Sequence, residues 1–294
     1  MPYAFQATAF VLLWNSGFIG AEYGLPYAGA LTLLFWRYLA LSMIMAVWVL
    51  GRGQPLRLPR ATTVRALGTG VLAHSVWLGC ALGSIQAGVP AGIVALVAAL
   101  QPLMTGALSG VVTGEHTTPR QWLGLATGFV GVAVAVASRA RADDATPLFA
   151  YFLPFGSVIA ITIASLWQRV GAQRGITPPM ATLLLYQSIG STFALTGPAL
   201  LLEGLTTEWT LPFLAALGWV TVMVSLGAYA MMWHLLERVD ATRVASLFYC
   251  GPPVTMVMAW IAFGDIVTTT DMVALLITAT GVMLVQWPQR GVGS

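Results

Sequence analysis

"QPLMTGALSGVVTGEHTTPRQWLG", Gln101 to Gly124, has a distant counterpart in "GPPVTMVMAWIAFGDIVTTTDMVA", Gly251 to Ala274. At a shift of 150 residues Pro102 meets Pro252, Thr105 meets Thr255, and Glu115 meets Asp265. The register continues upstream, where Ala91, Val94 and Ala95 meet Ala241, Val244 and Ala245. Downstream, Leu125 meets Leu275 and Gly131–Val132 meets Gly281–Val282. Some matches arise by chance in a chain so rich in Ala and Val. A mid-segment proline and an end-of-segment carboxylate in the same register are harder to attribute to composition. Residues 1–140 and 147–290 are therefore expected to be two copies of one unit.

The composition says what solvent these units meet. Of 294 residues 58% are hydrophobic and 8% charged, with a mean hydropathy of +0.83. A water-soluble domain carries about 25% charged residues, so lipid must surround most of this chain. A helix crosses a bilayer with about 20 mostly apolar residues. Ten such segments are predicted: 4–21, 29–50, 64–86, 89–112, 119–138, 148–170, 179–202, 211–236, 239–263 and 270–287. Pro26, Pro55, Pro59, Pro119, Pro147, Pro178 and Pro179 punctuate the short connections, which leave no room for a soluble domain. The N-terminal segment has no basic residue before its apolar run, so it is read as retained.

All 13 basic residues are arginine. Alternating the segments across the bilayer puts Arg52, Arg57, Arg60, Arg65, Arg120, Arg169, Arg174, Arg238, Arg243 and Arg290 on one side. Arg139 and Arg141 fall on the other. The arginine-rich side is expected to be cytoplasmic, with both termini inside. Localisation is expected to be the cytoplasmic (inner) membrane of a bacterium. No basic loop interleaved with aromatics points to nucleic acid. Cys80 and Cys250 lie in apolar runs without metal-ligand spacing and read as free thiols. No metal or cofactor is expected.

Each half holds five predicted segments. Five is odd, so the second half enters the membrane from the opposite side. The expected fold is all-α: ten transmembrane helices as two inverted five-helix repeats around a central cavity, an architecture of secondary transporters. Pro102, Pro252 and Pro253 are expected to break their helices, freeing the carbonyls of Ala98, Phe248 and Tyr249. Such breaks are tolerated in lipid only where protein or a wet cavity satisfies them.

These residues carry a family resemblance. "LWNSGF" in the first segment, Arg37 in the second, and the Pro102–Glu115 spacing followed by Gln121, Gly124 and Gly131 resemble the drug/metabolite transporter superfamily, EamA type. The resemblance covers nearly the whole chain. The second half departs from the pattern, with Asp265 for the usual Glu and Ala274 where Gly124 sits in the first half. The chain is most similar to exporters of aromatic amino acids. The resemblance implies a ten-helix basket whose cavity is lined mainly by helices 1, 3, 4, 6, 8 and 9.

The candidate substrate contacts are polar or aromatic groups near mid-depth. Trp14, Asn15 and Phe18 lie in the first segment, and His74, Trp77 and Leu78 in the third. Gln101 precedes the break in the fourth. Trp167 is in the sixth, Tyr229 and Trp233 share a face of the eighth, and Tyr249 sits at the break of the ninth. Aromatic rings at that depth suit stacking of a planar solute. Asn15 is equally readable as an interhelical hydrogen-bonding group, and a lone histidine such as His74 is more often one. Arg37, the single charge in its apolar segment, reads as a structural ion pair with Glu22 or as a snorkelling side chain. Its second reading is an anion contact. The glycines 106, 110, 114, 124 and 128 permit close helix packing, which a monomer accounts for more simply than a dimer.

No GxxxxGK[ST] loop is present for ATP. The expected function is secondary, alternating-access export of small amphipathic metabolites, aromatic and other apolar amino acids foremost. Drugs or other metabolites are the alternative cargo, and the protein is not expected to be an enzyme. A distant alternative is an intramembrane hydrolase with Ser157 as nucleophile and His74 or His234 as base. A channel is the remaining rival.

Overall fold

The computed structural model describes residues 3–113, 119–142, 145–172, 179–236, 238, 244 and 247–286. Glu115, His116, Asp143, Asp144, Arg174, Glu237, Asp240, Arg243 and Arg290 lie outside the described residues, as do the side chains of Gln121, Arg169 and Trp233.

The chain folds into helices. In the first half these are α1 (Tyr3–Gly24), α2 (Ala30–Gly51), α3 (Arg60–Gly70), a π-helical segment (Val71–Val76), α4 (Trp77–Gln86), α5 (Ala91–Ala98), α6 (Leu100–Thr113) and α7 (Pro119–Ala142). In the second half they are α8 (Leu153–Ala172), α9 (Met180–Glu203), α10 (Leu211–Gly218), a longer π-helical segment (Trp219–Ala228), α11 (Tyr229–Leu236), α12 (Gly251–Phe263) and α13 (Thr269–Gln286). Short 3₁₀ turns, Leu148–Tyr151 and Phe248–Cys250, precede α8 and α12. The one isolated β-bridge among the described residues joins Ala28 to Thr207.

Local chemistry sets the ends. Pro59, Pro90 and Pro179 stand just before α3, α5 and α9, where a missing N–H costs no helical bond. The Thr210 hydroxyl caps α10 by accepting from the Phe213 amide at 3.4 Å. Gly204 and Gly264, at φ of +64° and +77°, close α9 and α12 in the left-handed conformation that glycine adopts without a Cβ penalty.

The burial pattern is that of a protein solvated by lipid. Leu201 is 83% exposed and Ile261 73%, while Thr32, Ser84, Ser188 and Ser191 are fully buried. Hydroxyls turn inward and bond helical carbonyls, as Ser188 does to Leu184 and Ser84 to Ala150. By length and composition, six stretches among the described residues are long and apolar enough to cross a membrane. They are Tyr3–Gly24, Ala30–Gly51, Arg60–Gln86, Trp122–Ala142, Leu148–Gln168 and Leu211–Met232. Three shorter apolar stretches accompany them: Ala91–Gly106, Phe248–Phe263 and Thr269–Leu284.

Helix starts recur between the halves among the described residues. Tyr3 and Leu153, Ala30 and Met180, Arg60 and Leu211, and Pro119 and Thr269 begin corresponding helices. The two π segments overlap in the same register. Exchanging the halves also exchanges the packing. α2 lies on α9 and α7 on α13, each helix against its own counterpart, and α5 lies on α12. α3, its π segment and α4 pack on α8, as α10, its π segment and α11 pack on α1. The α7–α13 crossing shows the exchange at atomic scale. A Cβ on Gly131 would sit 2.7 Å from the Ala274 carbonyl oxygen, and one on Gly281 would sit 2.5 Å from the Gly124 carbonyl oxygen. Two backbones touch here because neither crossing residue has a side chain.

Both proline-bearing helices are interrupted just before their prolines. α5 gives way to α6 at Ala99, placing Pro102 in the first turn of α6. Pro252 and Pro253 sit in the first turn of α12. A proline is tolerated in a first turn because its N–H would have no intrahelical partner there.

A cavity open at the arginine-rich end

α2 ends, α3 begins, α9 begins and α11 ends at the same end of the bundle, beside Arg52, Arg57, Arg60, Arg65 and Arg238. A cavity of about 680 Å³ enters from this end. Trp48, Thr62, Arg65, Met180 and Met232 lie around its mouth, and Met45, Thr69, Leu184, Gln187 and Leu226 form its wall. The floor, near mid-length of the rods, is made by His74, Ser225 and Tyr229. His74 and Tyr229 also border a second chamber of about 40 Å³, lined further by Trp14, Phe18, Arg37, Tyr38, Trp77 and Leu78.

The floor is a packed aromatic layer. The His74 ring stacks on Tyr38 with centroids 5.1 Å apart and meets Tyr229 edge-on at 6.4 Å. Trp14 lies 5.2 Å from Tyr229. Gln187 Oε1 approaches His74 Nε2 at 3.4 Å. Arg37 is buried behind this layer, its guanidinium carbon 5.5 Å from the Tyr38 ring centroid. Its Nε and Nη2 donate to the Ser225 hydroxyl oxygen at 3.0 and 2.9 Å.

The opposite end is sewn shut. The Glu203 carboxylate, at the end of α9, accepts from the Leu31 and Thr32 amides at 3.2 and 2.7 Å and so caps α2. Gly29 permits this approach, since a Cβ there would lie 2.2 Å from the carboxyl carbon. Gln86 accepts from the Ala30 amide at 2.7 Å, Trp36 donates to the Thr207 hydroxyl at 2.9 Å, and the Glu208 amide donates to the Tyr27 carbonyl at 2.8 Å. Arg139 pairs with Asp271 at this end and donates to the Ile266 carbonyl at 2.6 Å.

The structure sorts the sequence-predicted residues. Trp14, Phe18, His74, Trp77, Leu78 and Tyr229 meet around the two chambers. Asn15 lines neither; it is buried between α1 and α12, donating to the Val11 carbonyl and accepting from Thr255. Gln101 donates to Thr105 and Ser165, both at 3.3 Å. Trp167 covers Gly68, whose absent Cβ its ring would meet at 2.4 Å. Tyr249 packs on the main core, away from both chambers. The side chain of Trp233 lies outside the described ones.

Two expectations are corrected. Glu22 and Arg37 do not form an ion pair; among the described residues the ion pair is Arg139–Asp271. Arg37 instead reaches across to the second π segment, while Glu22 sits close enough to Asp265 for the two carboxylates to repel. The large cavity is lined by α2, α3 with its π segment, α8, α9 and the second π segment with α11, rather than by the first, fourth and ninth predicted segments, 4–21, 89–112 and 239–263. α5 and α12 pack against each other, and α1 reaches only the small chamber.

The expectations missed Gln187, Ser225, Thr69 and Gln168 in the cavity wall. The repeat held the signal for one of them. Gln187 is the counterpart of Arg37, the residue singled out in the first half. The Ser157 hydroxyl donates to the Trp77 carbonyl, and His74 and His234 face Gln187 and Gln6. The serine–histidine dyad is therefore not formed among these described groups.

Comparison with known proteins agrees with this architecture. An uncharacterized transporter of Archaeoglobus fulgidus is 26% identical over 281 residues, 93% of each chain. The uncharacterized transporter YvbV of Bacillus subtilis is 28% identical over 178 residues, 58% of this chain and 55% of its own length. A crystal structure only 18% identical shares the fold with a TM-score of 0.65, covering 96% of this chain and 95% of the other. Residues 1–137 match the model of the EamA-like transporter family.

Proposed function

We propose that this protein is a secondary transporter of the drug/metabolite superfamily that exports small amphipathic solutes from the cytoplasm by alternating access. Aromatic and other apolar amino acids are the foremost cargo. One observation carries the reading. A cavity large enough for such a solute opens at the arginine-rich end, has an aromatic floor near mid-length, and is closed beyond it. Taking the arginine-rich end as cytoplasmic, the cavity faces the compartment from which cargo is drawn.

The matched halves supply the second state. As inverted repeats they exchange conformations: the half that now splays at the inner end closes, and its counterpart opens outward. Exchange of the register moves the open wall from Met45, Leu184 and Gln187 to Leu195, Leu34 and Arg37. His74 and Tyr229 border both chambers and stay at the fulcrum. Trp14, Phe18, Trp77 and Tyr229 offer stacking surfaces for a planar side chain.

The test is counterflow in liposomes holding purified protein, against a panel of radiolabelled amino acids. Accelerated exchange of labelled phenylalanine by trapped unlabelled phenylalanine is expected. Uptake without such acceleration would identify a pore, and no uptake of any aromatic or apolar amino acid would remove them as cargo.

A further inference from the structure

We propose that Arg37 is the anion-binding group of this cavity, and that the cargo is anchored through a carboxylate. The inference rests on the transport reading and names the chemistry its cargo must carry.

Arg37 is 6% exposed and lies in the membrane-spanning part of α2. A guanidinium has five N–H donors and a permanent charge. Among the described residues its hydrogen bonds go to a single neutral acceptor, the Ser225 hydroxyl, and no carboxylate stands within ion-pair distance. The Ser225 proton is committed to the Val220 carbonyl at 3.0 Å, so the oxygen presents its lone pairs to Arg37. The ring of Tyr38 adds a face but no counter-charge. A cation held in this way, away from water, is costly unless an anion arrives to pair with it.

The route to that anion is the cavity. Ser225 belongs to its floor, while Arg37 borders the small chamber, with His74 and Tyr229 common to both. Among the described residues the charged ones bordering the two spaces are both arginines, Arg65 near the mouth and Arg37 behind the floor, and neither lining includes Asp or Glu. The field along this path favours an anion and opposes a cation throughout. Aromatic rings beside Arg37 leave room for an apolar body next to the paired head. A carboxylate that replaces the Ser225 contact forms bidentate charged hydrogen bonds, the geometry a guanidinium favours.

Calorimetric binding to the purified protein tests this with three probes that share one ring: L-phenylalanine, 3-phenylpropionate and 2-phenylethylamine. Both acids are expected to bind, and the amine to bind at least about tenfold more weakly. Arg37→Gln should weaken both acids roughly 10- to 100-fold, the scale of a lost charged hydrogen bond, and abolish the preference. Ser225→Asp provides an independent variant. Its carboxylate pairs with Arg37 internally, so it should fold and yet exclude both acids to a similar degree. Amine binding as tight as acid binding, or acid binding preserved in either folded variant, overturns the assignment while leaving transport intact. Failure of all three probes to bind overturns the aromatic-cargo reading and this assignment with it.

Discussion

The two halves share a backbone plan and spend different side chains on it. Where α2 of the first half meets the second π segment, Arg37 spans to Ser225. At the matching place, Gln187 of α9 approaches His74 in the first π segment. One contact carries a permanent charge and the other a neutral amide. The α1–α12 and α8–α6 contacts differ in the same manner. Asn15 bonds Thr255 and fills the space above Gly251, whereas its counterpart Ser165 is short and is reached by Gln101, the counterpart of Gly251. The long amide has moved from one partner to the other, and the interface is satisfied both ways. At this crossing the repeat keeps an amide and leaves free which helix supplies it.

The helix spacings differ as well. α3 presses on α9 so closely that a Cβ on Gly70 would lie 2.0 Å from the Gln187 carbonyl oxygen, and one on Gly190 would lie 2.6 Å from that of Leu67. In the counterpart crossing, Val220 and Ala40 stand at those positions, and Arg37 bridges the elements. The largest effect is therefore expected from Gly70→Val, a loss of about 3 kcal/mol or more seen as reduced thermal stability in detergent, because the obstructing atom is backbone. Val220→Ala should cost about 1 kcal/mol at the looser crossing. Equal losses would erase the distinction between the two.

The swapped amide gives a sharper test. Gly251→Gln should destabilise by about 2 kcal/mol, since even a Cβ there meets Asn15 Oδ1 at 3.0 Å. Adding Asn15→Ser rebuilds the first-half arrangement and should restore at least half of that loss. Strict additivity of the two changes would show that the interfaces are not interchangeable. Next in size, Tyr229→Ala should weaken an aromatic solute by about 1 kcal/mol, or roughly fivefold, and a small apolar one less. Equal loss for both would count against stacking.

The smallest effect concerns pH. Burial pushes the Asp265 carboxyl above its ordinary range, partly offset by Arg139. The folded protein then binds this proton more tightly than the unfolded chain does. Stability from this group falls as pH rises through the window between the two values and stays lower above it. Asp265→Asn should raise the melting temperature slightly at neutral pH and flatten its dependence on the acid side. An unchanged pH profile would show that Asp265 is not the group responsible.

Much of this architecture was legible in the residues. The apolar runs, the interrupting prolines and the Gly131–Gly281 register all appear as helices, breaks and a crossing. These features are local or repeat at a fixed shift, so a linear pattern records them. The partner of Arg37 was not legible. Sequence proximity to an outer end suggested Glu22, but a long side chain is directed by the element packed over it, here the second π segment. The lateral roles of Asn15 and Gln101 were hidden for the same reason. A polar group at mid-depth is equally consistent with a chamber and with a helix crossing until the neighbouring helix is in place. The π segments have no local signature; the extra residue per turn is visible only in the backbone.

Glu203 at the head of α2 has a counterpart in Gly53 at the other end of the bundle, where Thr182 and Tyr186 make neutral bonds to the Pro55 and Leu56 carbonyls. A charge-assisted cap outweighs neutral contacts, so on the proposed transport reading the protein is biased to rest with its far end closed. On the proposed orientation, that resting state turns its mouth toward the cytosol. On that reading the resting state offers its aromatic floor first to solute on the arginine-rich side.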